Sequence, residues 1–173
     1  MAPPSDPEQL TIEQIRSNIA FENMVVSVLT GALSGGAMIF VLKLVQMLLV
    51  EVSFSAAISM FLETIFVAIA IFLVGFFASV AVGAPLYNIL EKRKRRSVWP
   101  YLVAAFSAAI VVFAFSVGGL PSAADVKIET ALAIFAPAII IALTFARLMK
   151  PHWHAAKKAE EAAAAAPVYF RLH

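Results

Sequence analysis

Long runs of apolar residues dominate this chain. Four of them extend from Met24 to Val50, from about Thr64 to Tyr87, over Val98–Val117 and from about Ile128 to Met149. Each has the roughly 20 residues that an α-helix needs to cross a hydrocarbon core of about 30 Å. Because backbone groups in lipid must be hydrogen-bonded within their own segment, the pattern predicts an all-α integral membrane protein with a bundle of four transmembrane helices.

The distribution of charge gives this bundle an orientation. Only 14% of the residues are charged, which is too few for the surface of a soluble domain. With four spans, both termini and the loop between helices 2 and 3 lie on one side. That side carries 11 of the 13 basic residues: Arg16, Lys92, Arg93, Lys94, Arg95, Arg96, Arg147, Lys150, Lys157, Lys158 and Arg171. The positive-inside rule then predicts a multi-pass protein of a bacterial inner (cytoplasmic) membrane with both termini cytoplasmic.

The segments that flank the spans are predicted to be helical as well. In residues 1–23 the apolar set starts at Leu10, and Ile12, Ile15 and Ile19 follow at positions i, i+3 and i+7, on one face of a helix. This pattern predicts a short amphipathic helix on the membrane surface or, alternatively, against a partner subunit. Residues 150–173 are rich in alanine, which predicts an exposed cytoplasmic helix. The chain thus divides into an N-terminal amphipathic segment (1–23), a transmembrane domain (24–149) and a C-terminal tail (150–173).

Five consecutive cations, Lys92 to Arg96, lie in the loop between helices 2 and 3. We interpret them as a topology signal and as a contact for the anionic headgroups of membrane lipids. Docking of an acidic protein partner is an alternative. Nucleic-acid binding would need a broader basic face with aromatic residues for base stacking, so no nucleic-acid partner is expected.

Three aromatic residues lie close to the predicted membrane boundary on the cytoplasmic side. Trp99 and Tyr101 follow the cation run, and Trp153 follows the fourth span. Tryptophan and tyrosine are enriched where the bilayer meets water, because their rings are apolar and their N–H or O–H group is polar. All three are therefore predicted to anchor the bundle at the interface.

Small residues recur at intervals of four in the predicted helices. They are Ser27, Gly31 and Gly35 in the first, Gly75, Ser79 and Gly83 in the second, and Ala138, Ala142 and Ala146 in the fourth. Lipid gives no hydrophobic drive for helices to pair, so their association depends on the close backbone approach that small residues permit. These faces are predicted to pack inside the bundle; dimerisation is the alternative for the first helix.

Lys43 and Glu63 are the ionisable residues nearest to the spans, and both fall close to the side opposite the termini. They could be separate interfacial anchors, an ion pair between helices 1 and 2, or a proton or substrate site. Cysteine is absent, and the pair His152 and His154 has no further metal ligand nearby in sequence. No catalytic motif is recognisable, so we expect no enzymatic activity, no metal and no cofactor.

These features predict a small, non-catalytic membrane protein that is an accessory, scaffold or assembly subunit of a membrane complex. Its expected partners are lipids and another membrane protein or a second copy of the chain. The alternative is a small proton- or ion-coupled transporter, or the small subunit of one, that uses Lys43 and Glu63. The length and the four-helix plan with both termini on one side are similar to those of the small membrane subunit of tripartite solute transporters that use a binding protein. That similarity lies in topology.

Overall fold

The fold is known from a computed structural model that describes residues 7–49, 54–116 and 128–165. Every regular element in these ranges is helical: α1 (Pro7–Leu48), α2 (Phe54–Ala78), α3 (Ala84–Lys92), α4 (Trp99–Ser116) and α5 (Ile128–Ala165). A π-helical turn, Ser79–Gly83, joins α2 to α3. Four segments are long and apolar enough to cross a membrane: Gln14–Leu48, Phe54–Lys92, Trp99–Ser116 and Ile128–Ala164. The prediction of an all-helical chain with four such segments is confirmed.

Two helices are longer than the hydrophobic pattern predicted. The N-terminal segment does not form a separate helix, because α1 continues without a break from Pro7 through Met24. Neither glycine nor proline occurs between Pro7 and Gly31, so nothing in the sequence interrupts the backbone hydrogen bonds there. The alanine-rich tail is likewise part of α5 as far as Ala165, and the helix passes through Pro151. The first six residues and the last eight lie outside the described residues.

The helices alternate in direction, which gives the molecule two distinct ends. The start of α1, the α3–α4 loop and the end of α5 share one end, which we call the basic end because it carries Lys92–Arg96. The opposite, far end carries Lys43, Glu63 and Glu129. Helix α1 packs against α2 on one side and α5 on the other, and α4 packs against α5.

Helices α1 and α5, which we call the central pair, form the most closely packed part of the fold. Gly31 and Gly35 of α1 face α5, where they contact Ile141 and Pro137. A Cβ atom added to Gly35 would lie 2.7 Å from Cγ of Pro137, so only glycine fits between the two helices. Beside them, Ser27 is fully buried and donates a hydrogen bond of 2.5 Å to the carbonyl of Asn23. The small face of α1 is therefore used within the chain.

Other small residues extend this packing around the central pair. Ala142 and Ala146 of α5 are buried. A Cβ atom added to Gly75 of α2 would lie 3.2 Å from Cδ1 of Ile141 and 3.3 Å from Cγ1 of Val28. Gly36, which lies outside the four-residue spacing, faces α2: a Cβ atom added to it would lie 3.0 Å from Cβ of Ala68.

Candidate functional site

An apolar groove of about 340 Å³ lies between α2 and α4. One wall is formed by α2, the π turn and the start of α3, and the other by α4. Residues of α5 and Met24 of α1 form its floor. In the part of the chain that the structure describes, the backbones of α2 and α4 form no extended interface with each other. Helix α4 approaches the opposite wall at the π turn, Ser79–Gly83. The bundle is therefore open along one side.

The difference in burial between the helices shows how open this side is. Helix α2 is described along its whole length, and none of its residues is buried. Large side chains such as Phe61, Phe66 and Phe77 are more than half exposed. By contrast, buried residues recur along α1 at Ala20, Met24, Val28, Ala32 and Ile39. The wall of the groove formed by α2 thus has one packed side, against α1, and presents the rest of its apolar surface outward.

Small side chains make up much of the groove surface. On the two walls they are Ala70, Gly75, Ala78, Ser79, Gly83, Ala104, Ala105, Ala108 and Ala109, and on the floor Ala133, Ala138 and Ala142. Five predicted packing residues therefore line the groove: Gly75, Ser79, Gly83, Ala138 and Ala142. Glycine and alanine let a second backbone come close, so this surface has the composition of a helix–helix interface that lacks its second helix.

Few polar groups reach the groove. Among the described residues that line it, the polar side chains are Ser79, Ser116 and Tyr101. Ser116 donates a hydrogen bond of 2.8 Å to the carbonyl of Val112 in its own helix. Pro137 has no N–H group, so the carbonyl of Ala133 on the floor has no donor at the usual position one turn later. The groove is suited to an apolar occupant.

An aromatic cluster closes the groove at the basic end. Tyr101 of α4 stacks on Trp153 of α5, with ring centroids 5.9 Å apart, and packs against Phe145 at 5.1 Å. Tyr87 of α3 meets the edge of Phe145 at 6.4 Å. Tyr101 and Trp153, which were predicted as interface anchors, are thus 7% and 8% exposed and hold α3, α4 and α5 together. Trp99 is 73% exposed.

Beyond this cluster, Arg96 connects three parts of the chain through two carboxylates. Its guanidinium donates hydrogen bonds of 2.9 Å to Glu91 of α3 and 2.8 Å to Glu160 of α5. Glu91 also pairs with Arg16 of α1 at 3.6 Å. The bonds to Glu160 and Glu91 raise the pKa of Arg96, and the bond from Arg96 holds the pKa of Glu160 below its ordinary value. The sequence spacing carried no signal for the contacts of Arg16 and Glu160, since both residues are far along the chain from Glu91 and Arg96.

The network divides the five-cation run into two parts. The side chain of Arg96 is only 10% exposed because it is held by the two glutamates. Lys92, Arg93, Lys94 and Arg95 are exposed and form no ion pair with any residue in the described ranges. We call these four residues the exposed cations.

The shape of the loop that carries the exposed cations is set by the end of α3. The N–H of Arg95 donates to the carbonyl of Leu90, and the N–H of Lys94 donates to that of Glu91, both at 2.9 Å. This pair of bonds is a Schellman motif, and Lys94 has the left-handed conformation, φ 54°, that the motif requires. The chain therefore turns sharply after α3 and returns as α4.

A smaller cavity of about 210 Å³ lies at the basic end between α1, α3 and α5. Its wall includes Arg16, Tyr87, Glu91, His152 and Trp153. Because Arg16 and Glu91 already pair with each other, both charges on this wall are neutralised. His152 and His154, the candidate HxH pair, are both exposed on either side of the buried Trp153. Within the described residues, no group of three or more possible metal ligands occurs.

At the far end, polar residues connect α1 to both of its neighbours. Lys43 forms an ion pair with Glu63 of α2, which is one of the three arrangements that the sequence left open. One turn later, Gln46 donates a hydrogen bond to Glu129 of α5. The side chains of Lys43 and Glu63 are 29% and 53% exposed, so this pair lies at the surface of the bundle and away from the groove.

Comparison with protein-family models, with curated proteins and with solved structures finds no match to this chain. The site must therefore be interpreted from its own geometry. That geometry combines an open, apolar, small-residue groove with four exposed cations beyond its closed end.

Proposed function

We propose that this chain is a non-catalytic accessory subunit of a membrane complex and that the groove between α2 and α4 receives a transmembrane helix of the partner. The observation that carries the proposal is the unfilled small-residue surface between these two helices. In lipid, a helix is held to its neighbours by close packing, and a groove lined by glycine and alanine offers such packing to a further helix.

The dimensions of the groove favour a helix over a lipid chain. On α4 the lining extends from Tyr101 to Ser116, which is about 22 Å at 1.5 Å per residue. This length covers most of a hydrocarbon core of about 30 Å, whereas a lipid tail from one leaflet reaches about half of it. A transmembrane helix can contact the whole groove as one continuous element.

Insertion and orientation are parts of the same proposal. The four long apolar segments span the membrane, and the basic end lies in the cytoplasm, where the positive-inside rule places loops rich in lysine and arginine. Helices α1 and α5 then continue past the membrane surface and, with α3, form a cytoplasmic extension held by Arg96.

Extraction of the tagged chain from its own membranes in mild detergent tests the proposal. The decisive comparison is between Ala108→Phe, which places a ring in the groove, and Val103→Phe, which adds the same ring on an exposed part of α4 outside it. We expect a defined membrane protein to co-purify with the wild type and with Val103→Phe, and to be lost with Ala108→Phe. A monomer without companions, or equal recovery with both variants, would contradict the proposal.

The alternative function, proton- or ion-coupled transport through Lys43 and Glu63, makes a different prediction. A carrier needs a polar site near the middle of the membrane, but this pair lies at the far end and outside the groove lining. The double variant Lys43→Met, Glu63→Leu removes both charges together. An accessory subunit should still bind its partner, whereas a coupled carrier should lose transport in a vesicle flux assay.

A further inference from the structure

We infer that the helix that occupies the groove continues about two turns into the cytoplasm and carries acidic residues there, which pair with Lys92, Arg93, Lys94 and Arg95. This inference rests on the proposed function and specifies the chemistry of the partner.

The position of the exposed cations relative to the groove is the first support. The α3–α4 loop that carries them joins the two walls of the groove, so a helix that leaves the groove at the basic end passes beside them. The four residues are exposed and form no ion pair with any residue whose side chain is described. Arg96, the next residue, uses both of the nearby glutamates, Glu91 and Glu160.

The depth of the cations is the second support, and it can be measured along α1. Met24 of α1 lines the groove, and Arg16 pairs with Glu91, which directly precedes Lys92. These two residues of α1 are eight positions apart, so the cations lie about 12 Å beyond the groove at 1.5 Å per residue.

A helix that fills the groove reaches that depth when it continues past the end of the groove. The groove covers about 22 Å of a hydrocarbon core of about 30 Å, so the cations lie at about the level of the headgroups, within reach of a helix that continues out of the groove. A helix that continues for about eight residues beyond its membrane-spanning part would bring acidic side chains to the same level.

The closed shape of this end directs the partner helix along the loop. The aromatic cluster of Tyr87, Tyr101, Phe145 and Trp153 blocks a path through the interior of the bundle. The partner helix therefore leaves the groove on its open side and runs along the outside of the α3–α4 loop. The Schellman turn fixes that loop, so the cations are held in place before the partner arrives.

Two synthetic peptides provide the test. Each has an apolar helix of about 20 residues with one alanine- and glycine-rich face, followed by a helical spacer of about eight residues. One peptide then carries four glutamates and the other four glutamines. Labelled peptide and labelled full-length protein are reconstituted in phosphatidylcholine vesicles, and binding is measured by energy transfer between the labels.

We expect the glutamate peptide to bind about tenfold more tightly than the glutamine peptide, as several weak exposed ion pairs together would give, and this preference to fall at high salt. Replacement of all four exposed cations by Gln should abolish the preference. Replacement of Arg147, Lys150, Lys157 and Lys158 by Gln removes the same number of charges from α5, and the preference should remain.

The outcomes separate the inference from the proposed function. If the two peptides bind equally and both are lost with Ala108→Phe, the groove takes a helix and the acidic continuation is wrong. If neither peptide binds, the proposal that a helix occupies the groove is wrong as well. If added phosphatidylglycerol is enriched around the wild type and not around the four-Gln variant, while peptide preference is absent, the cations serve lipid and the inference is overturned.

Discussion

The central pair α1 and α5 and the groove walls α2 and α4 differ in how they use similar small residues. In the central pair, Gly31 and Gly35 bring two backbones together, and a proline of the neighbouring helix fills the space beside them. In the walls, alanine and glycine line a surface that no helix of this chain covers in the ranges that the structure describes. A small-residue face therefore indicates where a helix can pack, but it does not determine which helix packs there.

The largest expected effect on stability distinguishes the closely packed interface of the central pair from the open wall of the groove. A Cβ atom at Gly31 would lie 3.1 Å from the carbonyl oxygen of Pro137, a backbone atom that cannot move aside alone, and would also meet Ile141. At Gly83 in the groove wall, the nearest atom to an added Cβ is Sδ of Met24 at 3.4 Å. We expect Gly31→Ala to lower the free energy of unfolding by about 2 kcal/mol.

Gly83→Ala is the matched control for this substitution. It should change the free energy of unfolding by less than about 0.5 kcal/mol or raise it slightly, because alanine favours a helix over glycine. Both variants can be measured by denaturant unfolding in the same detergent. Equal losses in the two variants would mean that the wall is packed as closely as the central pair, and the contrast between the two interfaces would fail.

The second effect concerns the contacts of Arg96, which connect the α3 side of the groove to α5 of the central pair. Arg96→Gln removes a nearly buried guanidinium and leaves Glu91 and Glu160 without their shared donor. We expect a loss of about 1–2 kcal/mol in the free energy of unfolding. Arg95→Gln, at an exposed neighbour, should cost less than about 0.5 kcal/mol. A smaller loss of unfolding free energy for Arg96→Gln than for Arg95→Gln would contradict the role given to Arg96.

The contact between Arg96 and Glu160 predicts that the stability of the fold depends on pH. Because Arg96 holds the pKa of Glu160 below its ordinary value in the folded state, the contact stabilises the fold fully above the ordinary pKa of a glutamate. The stabilisation should be lost as the pH falls through the lowered pKa of the folded state. The difference in unfolding free energy between wild type and Glu160→Gln should therefore shrink toward acid pH. A difference that grows on acidification would reverse the assigned sign.

The smallest effect is expected at the far end. Lys43 and Glu63 are partly exposed, and exposed ion pairs contribute only about 0.2–1 kcal/mol. Lys43→Met should therefore lower stability by no more than about 1 kcal/mol, and Glu63→Leu in the same background should add little. A double-mutant cycle in detergent measures the coupling. Coupling well above this range would indicate that the far end, and not the glycine packing, holds α2 to α1.

The sequence predicted well what depends on local pattern. Apolar runs of sufficient length marked all four long segments, and the four-residue spacing identified Gly31 and Gly35 as packing residues. The continuity of α1 and α5 was missed because a change from apolar to polar residues alters the surroundings of a helix without breaking its hydrogen bonds. The tail from residue 150 was predicted as a cytoplasmic helix apart from the fourth span, yet Pro151 at its start removes only one donor from a stretch of strong helix formers.

The site itself depends on contacts that local pattern does not encode. The five cations from Lys92 to Arg96 are alike in sequence, but only Arg96 meets Glu160, 64 positions away. Trp153 has the flanking residues of an interface anchor, yet its ring stacks on Tyr101 inside the fold. The groove is a property of four helices together: small residues on α2 and α4 could equally have met each other and closed the bundle.

The central claim, that α2 and α4 stay apart, is tested most directly by disulfide cross-linking, for which the absence of native cysteine is an advantage. Ile71→Cys with Ala108→Cys joins the two walls across the groove. Gly35→Cys with Pro137→Cys joins the central pair: an added Cβ at position 35 lies 3.5 Å from that of Pro137, and the second substitution removes the proline ring that excludes a side chain at position 35. In the isolated protein we predict efficient oxidation of the central-pair cysteines, whose spacing suits a disulfide. The groove cysteines should be linked only by a longer bifunctional thiol reagent. Efficient direct disulfide formation between the two cysteines introduced into the groove walls would show that the walls close on each other and would contradict the groove.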